Sequence, residues 1–197
     1  MTEAAVRPPG RPRSAQADSA IVDAALALLV EEGFDRLSMD GVAAKAGVSK
    51  ATIYRRWPSK EALVIEAVAR RTDPFADAPT EGSARDRLVA LLQTVLATSR
   101  TTLGKLLPCM VGATVSNPTL ARHYREHILD PRRARIGEIL RSGIEAGELR
   151  SGIDVDLAID QVVGPLLYRV VFAGDENPVT DEQCAAYVDS LLTGLAP

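Results

Sequence analysis

Cysteine and histidine are scarce in this chain of 197 residues, two of each, and aromatic side chains make up only 4% of it. Cys109 and Cys184 stand far apart, so a disulfide framework is not expected and a reducing cytoplasmic compartment fits. No run of 18 apolar residues occurs, which leaves no helix able to span a bilayer. The first residues, MTEAAVRPPGRPRSA, lack the apolar stretch of a secretory signal. The histidines, His123 and His127, fall four apart beside Tyr124 and Glu126. On a helix they share a face, but no carboxylate-rich or cysteine-rich motif accompanies them. They read as a solvated or partly buried pair, and neither a metal ion nor a cofactor is expected. A glycine-rich phosphate loop, a nucleophile elbow and a paired-carboxylate site are all missing, which argues against an enzyme.

What is present is an uneven charge. The net value of −3 argues against a nonspecific nucleic-acid binder. Residues 1–71 nevertheless carry 11 Lys and Arg against 9 Asp and Glu, while residues 72–197 carry 12 against 17. The basic excess lies in the first third of the chain, and phosphates should repel the remainder.

Residues 1–18 hold Arg7, Arg11 and Arg13 among prolines and glycine, with little to bury, and read as a flexible basic arm. From Ser19 the apolar residues Ile21, Ala25, Leu28 and Leu29 recur at helical spacing until Gly33. Ser38 then opens a short helix, MDGVAAKA, ending at Gly47. Ser49 opens the next, KATIYRRW, which Pro58 breaks, and Ser59 opens a fourth that runs to about Arg71. A loop rich in Pro, Asp and Gly over residues 72–83 separates this region from residues 84–197. There, helices are expected over Leu88–Leu96 and beyond, Thr102–Val115, Pro118–Ile128, Pro131–Ala146, a long apolar stretch from Val155 kinked at Gly164-Pro165, and Asp181–Leu195. No strand alternation, internal repeat or heptad array is visible. The expected fold is all-α, with about nine helices.

The informative stretch is SMDGVAAKAGVSKATIYRRWPSK, residues 38–60. Two short helices flank the turn Gly47-Val48-Ser49, with Ala43 and Ala44 permitting close approach and Val42, Val48 and Ile53 filling the space between. A helix-turn-helix needs this arrangement, because the second helix must stand rigidly proud to enter a major groove. Its outer face would carry Lys50, Thr52, Arg55 and Arg56. The order of a helix, GF, a Ser, a helix, AGVSKATIY, a Trp and SKEAL over residues 19–71 strongly resembles the TetR (tetracycline repressor) family. The resemblance implies a three-helix DNA-binding domain with a linking fourth helix, used as a homodimer on a palindromic double-stranded DNA operator. It also implies roles for particular residues. Ser38 and Lys60 become phosphate contacts at helix N-termini, and Tyr54 reaches a phosphate through its hydroxyl. Ser49, Lys50, Thr52 and Arg55 become base or backbone readers. Ala51 departs from the glycine frequent in relatives, and Trp57 is expected in the domain core. The PGRPR of the arm is similar to a minor-groove hook, which adds Arg11 and Arg13.

Segments such as AGELR and DVDLAIDQVVGPLLYRVVF resemble one class of TetR C-terminal regulatory domains. This implies a ligand cavity for an unknown small-molecule effector, for which Leu107, Cys109, Met110, Tyr124 and Tyr168 are candidate lining residues. It also implies dimerisation through the last two long helices. Val162, Leu166, Val170, Tyr187, Val188, Leu191 and Leu195 are the candidate interface, since the last helix carries an apolar stripe broader than a chain end requires. The expected function is a ligand-responsive transcriptional repressor. The alternatives are an activator of the same type or an architectural DNA-binding protein without a ligand.

Overall fold

The computed structural model describes residues 12–71, 73, 79–173 and 178–196. Among them every regular element is helical, in two compact units, Met1–Ala67 and Val68–Pro197. Among the described residues the ten α-helices form nine continuous helical runs, because Pro118–Tyr124 and Asp130–Glu145 join through a wide turn, and about nine helices were expected.

The first unit begins with α1 (Pro12–Glu32), seven residues earlier than the hydrophobic periodicity suggests. Pro12 stands at the first helical position, where its fixed φ suits the helix and its missing N–H costs nothing. Much of the expected arm is thus helix. Arg11 lies outside the described residues, and so does the side chain of Arg13. Gly33 ends α1 at φ +81°, with its N–H bonded to the Leu29 carbonyl at 3.0 Å. Phe34 and Leu37 plug the bottom of the unit before α2 (Met39–Ala46), which Ser38 caps. After the turn come α3 (Lys50–Tyr54), capped by Ser49, and α4 (Lys60–Arg71), whose first turn the Ser59 hydroxyl caps through Ala62 N–H. Ile21, Ala25 and Leu29 of α1, Val42 of α2, Ile53 of α3 and Leu63 and Val64 of α4 are all fully buried. Trp57 joins them at 2% exposure, and its indole N–H donates to Glu66 at 2.6 Å. With Phe34, Trp57 gives this largely aliphatic core its buried aromatic rings.

The second unit is built on α5 (Ala84–Ser99), α6 (Leu106–Ser116), α7 (Pro118–Tyr124), α8 (Asp130–Glu145), α9 (Val155–Tyr168) and α10 (Asp181–Thr193). A 3-10 turn, Thr102–Lys105, precedes α6. Where the sequence suggests a break between α7 and α8, the chain instead passes through one π turn, Arg125–Leu129. Pro131 explains the widening: in a regular helix its ring would strike the carbonyl four residues back, that of His127. In the observed turn the Asp130 N–H bonds five residues back, to Arg125. Likewise α9 runs through Pro165 and ends in a second π turn, Arg169–Ala173.

The core of this unit brings together Leu88, Leu91 and Leu92 of α5, Ile136, Ile139 and Leu140 of α8, Ile159, Val162 and Leu166 of α9, and Cys184 and Val188 of α10. Burial also pushes the Cys184 thiol up from its ordinary pKa. Gly143 allows α8 to approach α5 closely, since a Cβ there would lie 2.8 Å from that of Ala84. Glu148 accepts the free N–H of Ala84 at the start of α5 at 2.7 Å, and Arg85 forks onto Asp189 of α10 at 2.5 and 2.9 Å. The chain end is tied down by Arg150 N–H donating to the Leu195 carbonyl.

Candidate nucleic-acid interface

The turn between α2 and α3 is fixed by the backbone. Gly47 sits at φ +66°, its N–H bonds the Ala44 carbonyl, and the N–H of Val48 bonds that of Ala43. This is the Schellman arrangement, which satisfies the last carbonyls of α2 and needs a residue at ease in the left-handed region. Ser49 follows as the cap of α3. Its oxygen accepts from Thr52 N–H at 3.3 Å and pairs with the Thr52 hydroxyl at 2.9 Å. Ile53 is fully buried and Trp57 nearly so, which pins α3 from below. The opposite face is left to solvent: Ser49, Lys50, Ala51, Tyr54 and Arg55 are exposed, Tyr54 by 51%, and Thr52 is half-buried at the edge.

The charged residues divide sharply. Arg55 has no side-chain partner among the described residues, so its guanidinium is available to a base edge or a phosphate. Lys50 forms an exposed ion pair with Asp40 at 2.5 Å, which phosphate could displace at little cost because surface pairs are worth about 0–1 kcal/mol. Arg56, which the sequence suggests as a further donor, is instead joined to Asp18 of α1, a residue only 12% exposed in its side chain. Its charge is committed to holding α1 against the end of α3. The signal for this lay in Pro12, because a helix begun there carries Asp18 within it.

Lys60 also departs from expectation. Its ammonium donates to the carbonyls of Phe34 at 3.0 Å and of Asp35 and Leu37 at 3.3 Å, and lies 4.4 Å from the centre of the Phe34 ring. With all its donors engaged, Lys60 clamps the loop between α1 and α2 onto α4 rather than standing ready for a phosphate. Ser38 is exposed, and its oxygen accepts from Gly41 N–H at 3.0 Å, which leaves the hydroxyl hydrogen free to donate outward at the positive end of α2.

In the second unit, Leu107, Met110 and Tyr124 line a cavity of about 70 Å³ together with Leu106, Thr98 and Arg132. Burial pushes the Tyr124 hydroxyl up in pKa and the Arg132 guanidinium down, so both ionisable groups sit in a poorly solvated wall. Adjoining it, and sharing Ser99, Gly104 and Val170, is a cleft of about 260 Å³ bordered by Arg100, Lys105 and Arg169. Cys109 does not line either space, and Tyr168 is 62% exposed against Phe172 on the outer side of α9.

The expected interface residues fare similarly. Val162, Leu166, Val188 and Leu195 are buried in the protomer's own core, Tyr187 and Leu191 pack against that core, and Val170 borders the cavity. Of the large apolar side chains left open in this unit, Leu157, Leu167, Tyr168 and Phe172 cluster on α9 and its π turn, while Val115 of α6 and Leu129 stand apart from them in sequence. A hydrophobic stripe marks a buried face without saying which neighbour buries it.

A rigid two-helix turn presenting an uncommitted arginine on an otherwise closed helical unit defines a helix-turn-helix DNA-binding regulator. Comparison with known proteins places it more narrowly. Residues 21–67 match the model for bacterial regulatory proteins of the tetR family, and residues 78–191 match that for the tetracyclin repressor-like C-terminal domain. The chain is 35% identical over 167 residues to the transcriptional regulator YdeS of Bacillus subtilis (strain 168), covering 85% of this chain and 84% of the relative. It is 33% identical over 186 residues to the DNA-binding transcriptional repressor TetR of Mycobacteroides abscessus, covering 93% of each. The crystal structure of the TetR family transcription regulator SCO0332 superposes with a TM-score of 0.72 at 33% identity, covering 92% of this chain and 100% of that one. The chain belongs to the TetR family.

Proposed function

We propose that this protein is a ligand-responsive homodimeric repressor whose α3 reads a palindromic operator. The observation that carries the reading is Arg55, exposed and unpartnered among the described residues on a helix held from below by Ile53 and Trp57. Around it, Lys50 and Thr52 meet base edges, while Ser38, Ser49 and the Tyr54 hydroxyl meet phosphate oxygens that fix the register. Arg11 and Arg13 follow the adjoining minor groove. The name of the Mycobacteroides abscessus relative supports repression over activation.

The effector occupies the cavity beside Tyr124. That space alone is smaller than the roughly 300–1,000 Å³ of a typical ligand site, and with the adjoining cleft it just reaches the lower bound. Apolar walls at Leu106 and Met110, with Arg132 at one side and Arg100 and Lys105 beyond, suit an apolar molecule carrying an anionic group. Val68 of α4 also borders the cavity. Because α4 continues from the DNA-reading unit, an effector that prefers one position of α4 lowers operator affinity by its own preference.

Gel shifts with the palindrome upstream of the protein's own gene test the reading. The expected result is a salt-sensitive, sequence-specific complex. Arg55→Ala should lose about 1–3 kcal/mol and relax the preference at one base position, whereas Tyr54→Phe should weaken every site about equally. A purified dimer indifferent to duplex sequence overturns it. A reporter that falls when the gene is deleted points to activation instead.

A further inference from the structure

We propose that His123, Glu126 and His127 form a binding site for a divalent transition-metal ion of the zinc class, on the outer face of the helical run from α7 to α8. The three donor groups lie within 4.8 Å of one another. The two imidazole rings are nearly parallel, 12° apart in plane, with centroids separated by 5.9 Å. Among the described residues none of the three side chains has any other hydrogen bond or ion pair. Both histidines of the chain are at this one spot.

The spacing explains the convergence. Residues i, i+3 and i+4 share one face of a helix. Here His123 lies in α7, while Glu126 and His127 lie within the π turn, whose Asp130 N–H reaches back to Arg125. Pro131 imposes that turn whether or not an ion is bound, so the donors are set in place by the backbone. Around a tetrahedral ion with bonds of ~2.0–2.2 Å, donor atoms stand roughly 3.3–3.6 Å apart. From the observed separation, rotation of exposed side chains closes the remaining distance.

Two imidazoles and one carboxylate select against calcium and magnesium, which prefer all-oxygen shells, and suit Zn²⁺, Co²⁺, Ni²⁺ or Cu²⁺. Three protein donors leave a fourth position to water. Tyr124, next to His123 in sequence, is buried and borders the effector cavity, whereas Glu126 and His127 are exposed and none of the three donors lines that cavity. None of the three donors is among the residues proposed to meet the effector or the operator, so the test of this site does not rest on that reading.

The test titrates the untagged full-length protein with Zn²⁺ alone by calorimetry, and with Co²⁺ by visible absorption. One ion per chain is expected. His127→Ala and Glu126→Gln should each weaken it by roughly tenfold or more, and the His123→Ala/His127→Ala double variant should abolish it. Because the side chains are partly or fully exposed, the melting temperatures of the variants without metal should equal that of the wild type. Zn²⁺ should raise the melting temperature of the wild type and not that of the double variant. In the wild type itself, saturating Zn²⁺ should protect both histidines from diethyl pyrocarbonate, a readout that needs no variant. Absence of saturable binding, a double variant that keeps the wild-type isotherm, or histidines still modified in excess Zn²⁺ would each overturn the assignment.

Discussion

Two lysines in the DNA-reading unit show how a shared charge serves different ends. Lys50 is exposed and tied only to Asp40 across the surface, while Lys60 spends its ammonium on the carbonyls of Phe34, Asp35 and Leu37. A lysine that neutralises a phosphate contributes about 0.9 to the salt slope of binding on duplex DNA. Lys50→Gln should therefore flatten that slope. Lys60→Met should leave the slope unchanged and lower the stability of the protein by about 1–3 kcal/mol, since it strips donors from partly buried carbonyls. Urea unfolding beside operator titrations at several salt concentrations separates the two outcomes. A flatter slope in Lys60→Met would restore that residue to the interface. The sequence could not distinguish the two lysines, because the partners of Lys60 lie 23 to 26 residues away and are backbone atoms with no side-chain signature.

At the scale of elements, the helix ends were readable because their chemistry is local. Ser38, Ser49 and Ser59 each cap the helix they precede, and Gly47 takes the left-handed turn its position demands. The places misread have causes that are not local. Seven residues of the expected arm belong to α1, stabilised in part by Asp18 meeting Arg56. The join of α7 to α8 rests on a wide turn that no periodicity reports. Close packing was equally hidden. Gly143 lies in the last turn of α8, still within the helix, where alanine would ordinarily gain up to about 0.8–1.0 kcal/mol. A Cβ there, however, would meet Ala84 at 2.8 Å and Leu149 at 3.0 Å, and such overpacking costs about 1–3 kcal/mol. The clash outweighs the propensity, so Gly143→Ala should lower the unfolding midpoint. Adding Ala84→Gly should recover part of the loss, and a Gly143→Ala protein more stable than the wild type would refute the packing.

For the whole molecule, the proposed homodimer turns on which surface joins two copies. The open apolar residues of α9 fall on one seam: Leu157 and Tyr168 three turns apart, then Phe172, with exposed Gly164 between them. A Cβ added at Gly164 would meet nothing within 4 Å, so a neighbouring helix has room to approach there. Leu157, Leu167, Tyr168 and Phe172 are 38–73% exposed, so burying the remainder yields roughly 1 kcal/mol apiece, or about 8 across a symmetric pair. Association costs an estimated ~4–15 kcal/mol, so this seam alone is marginal, and in the proposed dimer α10 would add its own open face at Ala186, Ser190 and Thr193. A combined Leu157→Asp and Phe172→Asp variant should then sediment as a folded monomer and lose cooperative binding to a two-half-site operator, while keeping its helical circular dichroism. Val162→Ala should instead lower protomer stability by about 0.5–3 kcal/mol and leave the dimer intact, because Val162 is fully buried within its own chain. If the α9 variant remains dimeric in sedimentation, the copies meet through another surface. The spacing of the two recognition helices, about 34–36 Å for successive major grooves, would then have to be set from there.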